Sequence, residues 1–148
     1  MIRIARIGNY PTDIYNKVGF HAYQLGASNK FETFYISANV NGVVLPPLGN
    51  SKVETFNFFL QTFPINGGVL TKIAFTIKRI FSILIFSISS ILYLRPKVID
   101  IVHIHSPMYT LIAIWGKLSG KKIYITFHGE DFNRIRNSRI YKLSLIHI

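Results

Sequence analysis

Three of the five histidines and two carboxylates carry the chemistry open to this sequence. His103 and His105 lie in DIVHIHSP, residues 100–107, and His128 opens HGED, residues 128–131. His103 and His105 are two apart in an apolar, β-branched run, so on a strand their side chains share a face. His105, nearer the end of the run, is the expected ligand contact. His103 lies one step deeper and is expected as a hydrogen-bonded core histidine. His128 follows a second apolar run, and Gly129 keeps the backbone open beside it. A neutral imidazole hydrogen-bonds hydroxyls, and one with a pKa near neutrality can pass a proton. His128 is therefore the candidate catalytic residue; the alternative is that it caps the loop. Glu130 and Asp131 are candidates to hold substrate hydroxyls, or else they offset a basic neighbourhood. Three imidazoles also raise a zinc or iron site, but that needs a further ligand, for which only Asp131 is at hand. No metal or other cofactor is expected. A phosphate loop ending Gly-Lys-Ser/Thr, a nucleophile elbow and a His-Glu-x-x-His helix are all missing from the sequence.

These residues need a strand, a helix and a strand to position them. Ile101–Ile104 suits a buried strand. Ser106-Pro107 supplies an N-cap hydroxyl and a proline at the first helical position. Leu111, Ile112, Ile114, Trp115 and Leu118 recur at helical spacing, and Gly120 marks the stop. Residues 123–127 form the second strand. A crossover of this length joins parallel strands, and such crossovers are right-handed. Ligands of open α/β sheets bind beyond the carboxyl ends of the strands, so both histidine-bearing ends are expected to face one crevice.

Upstream, Ile2–Ile7 reads as a strand and residues 8–13 as a loop, followed by a short helix over 18–25. Gly19 at that helix entrance would let backbone N–H groups approach a phosphate; alternatively it only relieves a tight loop-to-helix join. His21 is expected to be exposed or to pack. Residues 32–37 read as a second strand, and residues 42–46 as a third, stopped by Pro46-Pro47. Residues 48–66 mix breakers with Phe56, Phe58, Phe59 and Phe63, for which core packing is expected over contact with a lipid-linked acceptor. The fold class that results is α/β: a Rossmann-like, mostly parallel sheet with helices on both faces.

The two histidine segments resemble the end of the N-terminal domain of family-4-like glycosyltransferases of the GT-B fold. That family typically carries Asp-hydrophobic-hydrophobic-His-x-His, then Thr-x-His-Gly-x-Asp after the next strand; here these are DIVHIH and TFHGED. The resemblance implies that residues 1–142 are the acceptor-side domain of a retaining, metal-independent transferase. Its partners would be a nucleotide-sugar donor and a glycan or lipid-linked acceptor. It also implies that His128 contacts the transferred sugar and that the loop after it binds acceptor. The family's Gly-Gly pair near the donor diphosphate is Val18-Gly19 here, so only its second glycine is kept. In that family, the diphosphate charge is met largely by a second, C-terminal domain that this sequence does not match. The fragment is therefore expected to be inactive alone.

The longest apolar segment, Val69–Leu94, carries Lys72, Thr76, Arg79, Ser87 and Ser90 along one helical stripe. Its uncharged part, residues 80–94, would measure roughly 22 Å as a helix, short of the ~30 Å of a bilayer core. A core helix with one face toward a membrane is the expectation; the alternatives are a true span, and a non-catalytic, membrane-associated basic binding module anchored by residues 80–94. Net charge is +11, from 17 Lys+Arg against 6 Asp+Glu. That favours polyanions such as phosphorylated substrates or anionic lipid, or it is a basic background. No basic run interleaves with aromatics, so nucleic acid is not an expected partner. Arg134, Arg136, Arg139 and Lys142 could meet such an acceptor or form a solvated face. The absence of cysteine excludes disulfides and suits a reducing compartment. Residues 1–12 read as a strand rather than a secretory signal. Location in the cytoplasm, or peripherally on the inner face of the membrane, follows as an expectation. Residues 143–148 end without cap or turn and are expected to be non-native chain.

Overall fold

The structure, a computed structural model, describes residues 1–8, 30–38, 48–56 and 68–127. Five strands and two α-helices fall within them. In chain order these are β1 (Ile2–Ile7), β2 (Phe31–Ala38), β3 (Ser51–Phe56), α1 (Val69–Leu94), β4 (Ile101–Ile104), α2 (Thr110–Leu118) and β5 (Lys122–Ile125). All strands pair in parallel, in the order β3-β2-β1-β4-β5. The chain steps outward from β1 to β3, then returns through α1 to the other side of β1. This is a doubly wound, Rossmann-like α/β sheet whose strand order reverses between β1 and β4.

Alternation along the strands sorts the side chains. Ala5, Ile7, Phe34, Ile36, Val102 and Ile104 join one buried cluster with Phe86, Leu94, Tyr109, Ile112 and Ala113 of the helical layer. Phe56, on β3, packs against the same cluster, with its ring 6.1 Å from Phe86, edge to face. This agrees with the core role expected of it; Phe58, Phe59 and Phe63 lie outside the described residues. Both described helices cover this one face. The helix expected over residues 18–25, which would serve the other, lies outside the described residues, as does the strand expected over 42–46.

The third described strand instead occupies Ser51–Phe56, in a segment whose breakers and aromatics give no clear period. Gly49, at φ 55°, makes the turn into it. Ion pairs across the sheet edge then help fix its register: Glu32 accepts from Arg3 of β1 at 2.9 Å and from Lys52 of β3 at 2.8 Å.

The helix signals around α2 act as their residue types require. Ser106 Oγ accepts from the Met108 N–H, Pro107 opens a single 3-10 turn, and α2 follows. Gly120, at φ 71°, ends it. Its N–H bonds the Lys117 carbonyl and the Lys121 N–H bonds that of Gly116, which closes a Schellman motif.

α1 covers the sheet with Ser87 and Ser90 of its polar stripe turned inward, while Lys72 and Thr76 near its start are exposed. Ser87 and Ser90 are fully buried beside Phe86 and Leu94, whereas Ile88 between them is half exposed. Serine suits the buried side because it is small, and Ser90 Oγ satisfies itself on the Phe86 carbonyl at 2.7 Å. By length and composition, α1 is apolar enough to cross a membrane.

Candidate functional site

The reversal of strand order brings the carboxyl ends of β1 and β4 together. The His105 N–H bonds the Ile7 carbonyl at 2.8 Å, and the Gly8 N–H bonds that of Ile36 at 3.1 Å. A β-carbon on Gly8 would stand 2.8 Å from that of His105, closer than packed carbons approach. Glycine is thus what lets His105 sit against the end of β1. His105 is 8% exposed, and its ring lies 4.2 Å, centre to centre, from that of His103.

His103 is hydrogen-bonded as expected, but it is only half-buried, whereas His105, expected nearer the open end, is the more buried of the two because it packs against the end of β1. Arg6 Nη1 lies 3.0 Å from Nδ1, and Nε2 lies 2.8 Å from Thr126 Oγ1. Arginine can only donate, so Nδ1 must accept and Nε2 must carry the proton, donated to Thr126. Burial, and then the Arg6 charge, push the His103 pKa down to about 4. At neutral pH the ring is therefore neutral and held in one tautomer. Neither of its nitrogens has a lone pair left for a metal, which removes one ligand from a three-imidazole site.

Arg6 itself is 6% exposed, and burial lowers its pKa. Its Nε finds no hydrogen-bond partner among the described residues, nor does the buried Thr33 Oγ1. Arg6, Thr33, Tyr35 and His103 share the sheet face that α1 and α2 leave uncovered, which makes that face polar where the other is apolar.

β4 and β5 run side by side, with His103 level with Tyr124 and Ile104 with Ile125. The Thr126 N–H continues the ladder onto the Ile104 carbonyl at 2.8 Å. The strand that carries His105 and the strand that leads to His128 thus end at the same edge. His128, Gly129, Glu130 and Asp131 lie outside the described residues, as do Gly19 and His21. No protein-family model matches the chain, and no curated protein is significantly similar to it.

Gly8, Arg6 and Thr126 belong to this arrangement although the sequence reading assigned them no role. Arg6 did leave a signal: an arginine inside an otherwise apolar strand. Gly8, the first residue after β1, left another, which gains meaning only once β4 is known to be the neighbour.

Proposed function

We propose that this chain is the acceptor-side domain of a retaining glycosyltransferase, which moves a sugar from a nucleotide-sugar donor to a glycan or lipid-linked acceptor in the cytoplasm. The observation that supports the reading is the parallel pairing of β4 with β5, which sets the strand before His105 beside the strand that precedes His128 in sequence. In the reaction, the bond between the sugar's anomeric carbon and the diphosphate breaks. A bond from that carbon to an acceptor hydroxyl oxygen forms, and the hydroxyl proton leaves with the diphosphate. His128 is assigned to the transferred sugar as the catalytic residue, and His105 to a substrate hydroxyl at the crevice floor. Gly129, Glu130 and Asp131 are assigned to the acceptor, and Gly19 to the donor diphosphate. Stabilising the charge that develops on the diphosphate is the task of a second α/β domain.

The test is to extend the open reading frame beyond residue 142, express the longer chain, and measure nucleoside diphosphate release from a panel of nucleotide-sugars with lipid and glycan acceptors. Acceptor-dependent release is expected, and His128→Ala should lower it by about 10²- to 10⁴-fold. Normal turnover by the 148-residue chain alone, or an unaffected His128→Ala enzyme, would refute the assignment.

A further inference from the structure

We infer that the outer face of the α1–α2 layer docks on an anionic lipid bilayer, with α1 lying in the plane of the interface. Ile73, Ile77, Phe81, Leu84, Ile88 and Leu92 are 43% to 61% exposed. At 100° per residue they fall within an arc of roughly 100° on one side of the helix. α1 has 26 residues, so the stripe runs along a helix of about 39 Å. α2, packed beside it, repeats the pattern. Ile112, Ala113 and Gly116 face the core, and Leu111, Ile114 and Leu118 face out. Helices on a water-facing sheet normally carry polar residues there, and contiguous apolar surface of this extent marks an interaction site.

Charge selects the occupant. Between residues 55 and 129 the chain holds eight lysines and arginines and a single acid, Asp100. Lys78 flanks the α1 stripe, and Lys117, Lys121 and Lys122 cluster at the end of α2. A second copy of this chain would bring like charges together, whereas an anionic headgroup layer meets them with opposite charge. The start of α1 points the same way. Gly68 offers no side-chain cap, no acid lies in the first turn, and Val69 and Leu70 are 74% and 83% exposed. Among the described residues no capping side chain or acid holds that end of the helix in water, and an apolar interface would hold it.

Crossing the bilayer does not fit. Lys72, Lys78 and Arg79 interrupt the first half. The second half seals the sheet through Phe86, Ser87 and Leu94, which cannot leave without opening the core. Arg79 Nη2, 3.2 Å from Met108 Sδ, also ties the helix to the turn before α2. This inference goes beyond the sugar-transfer reading and stands without it.

Flotation of the full 148-residue chain with vesicles tests it. Binding is expected to vesicles of phosphatidylcholine with about 30% phosphatidylglycerol, and about tenfold less to phosphatidylcholine alone. Raising salt from about 0.1 M to about 0.5 M should weaken it by a similar factor. The combined variant Ile77→Ser, Leu84→Ser, Ile88→Ser changes only exposed positions; it should keep its circular dichroism and lose binding about tenfold or more. Lys78→Glu with Lys121→Glu should remove the preference for anionic vesicles. The inference is overturned by equal binding to both vesicle types, by undiminished binding of the serine variant, by resistance of cell membranes to alkaline carbonate extraction, or by a stable dimer in light scattering that ignores vesicles.

Discussion

Arg6 and His103, 97 residues apart in sequence, meet at 3.0 Å across β1 and β4, with the guanidinium donating to the imidazole. A buried cation with no carboxylate partner among the described residues thus fixes a neutral histidine, and that histidine stacks against His105 at the strand-order reversal. Burial and the Arg6 charge together keep His103 neutral.

This relationship predicts a direction for stability against pH. The folded pKa of His103 is about 4, below its ordinary 6.5. The unfolded chain therefore takes up the proton first as pH falls. Stability from this group is complete above about pH 6.5 and declines toward pH 4, by at most about 1 kcal/mol per pH unit once solvent screening is allowed for. Urea unfolding at a series of pH values checks the slope. Flat stability from pH 7 to 5 would contradict it.

Replacing the cation should move the histidine. In Arg6→Met, His103 loses the nearby charge but keeps its burial, so its pKa should rise without reaching the ordinary value. Titration of the ring protons by NMR reads this directly. An unchanged value would mean that burial alone sets the shift.

Gly8→Ala should cost about 1–3 kcal/mol, because the added methyl meets the His105 β-carbon and the strand ends must part. Chemical denaturation measures the cost. A change in the His105 ring signals should accompany it, since a mere loss of chain flexibility would leave that ring in place.

The inverted packing of α1 makes opposite predictions for neighbouring positions. Ser87 is fully buried, and its hydroxyl finds no partner among the described residues. Ser87→Ala should therefore be neutral or stabilising by up to about 1 kcal/mol, and Ser87→Leu should destabilise by about 1–3 kcal/mol through overpacking. Ile88→Ser, one residue on and facing out, should change stability by no more than about 0.5 kcal/mol. If Ile88→Ser proved the more damaging, the helix would be turned the other way.

What could be read from the sequence was local. Ser106, Pro107 and Gly120 bracket a helix because capping chemistry involves residues only a few positions apart. Ile2–Ile7, Ile101–Ile104 and Val69–Leu94 announced themselves by β-branched runs and by a long, mostly apolar stretch. β3 did not, because an edge strand held by Arg3, Glu32 and Lys52 needs no apolar period of its own. The sequence alone therefore determined the α/β class and the β4-α2-β5 unit, but it misjudged the two histidines, of which His105 and not His103 is the more buried. Only the tertiary structure decided which strand lies beside β1, and so which side chain Arg6 and Gly8 would meet. It alone also turned Ser87 and Ser90 of α1 inward and Ile77, Ile85 and Ile88 out. The reason is physical: helix and strand periods are set by near neighbours along the chain, whereas facing and pairing depend on partners that folding brings from far away.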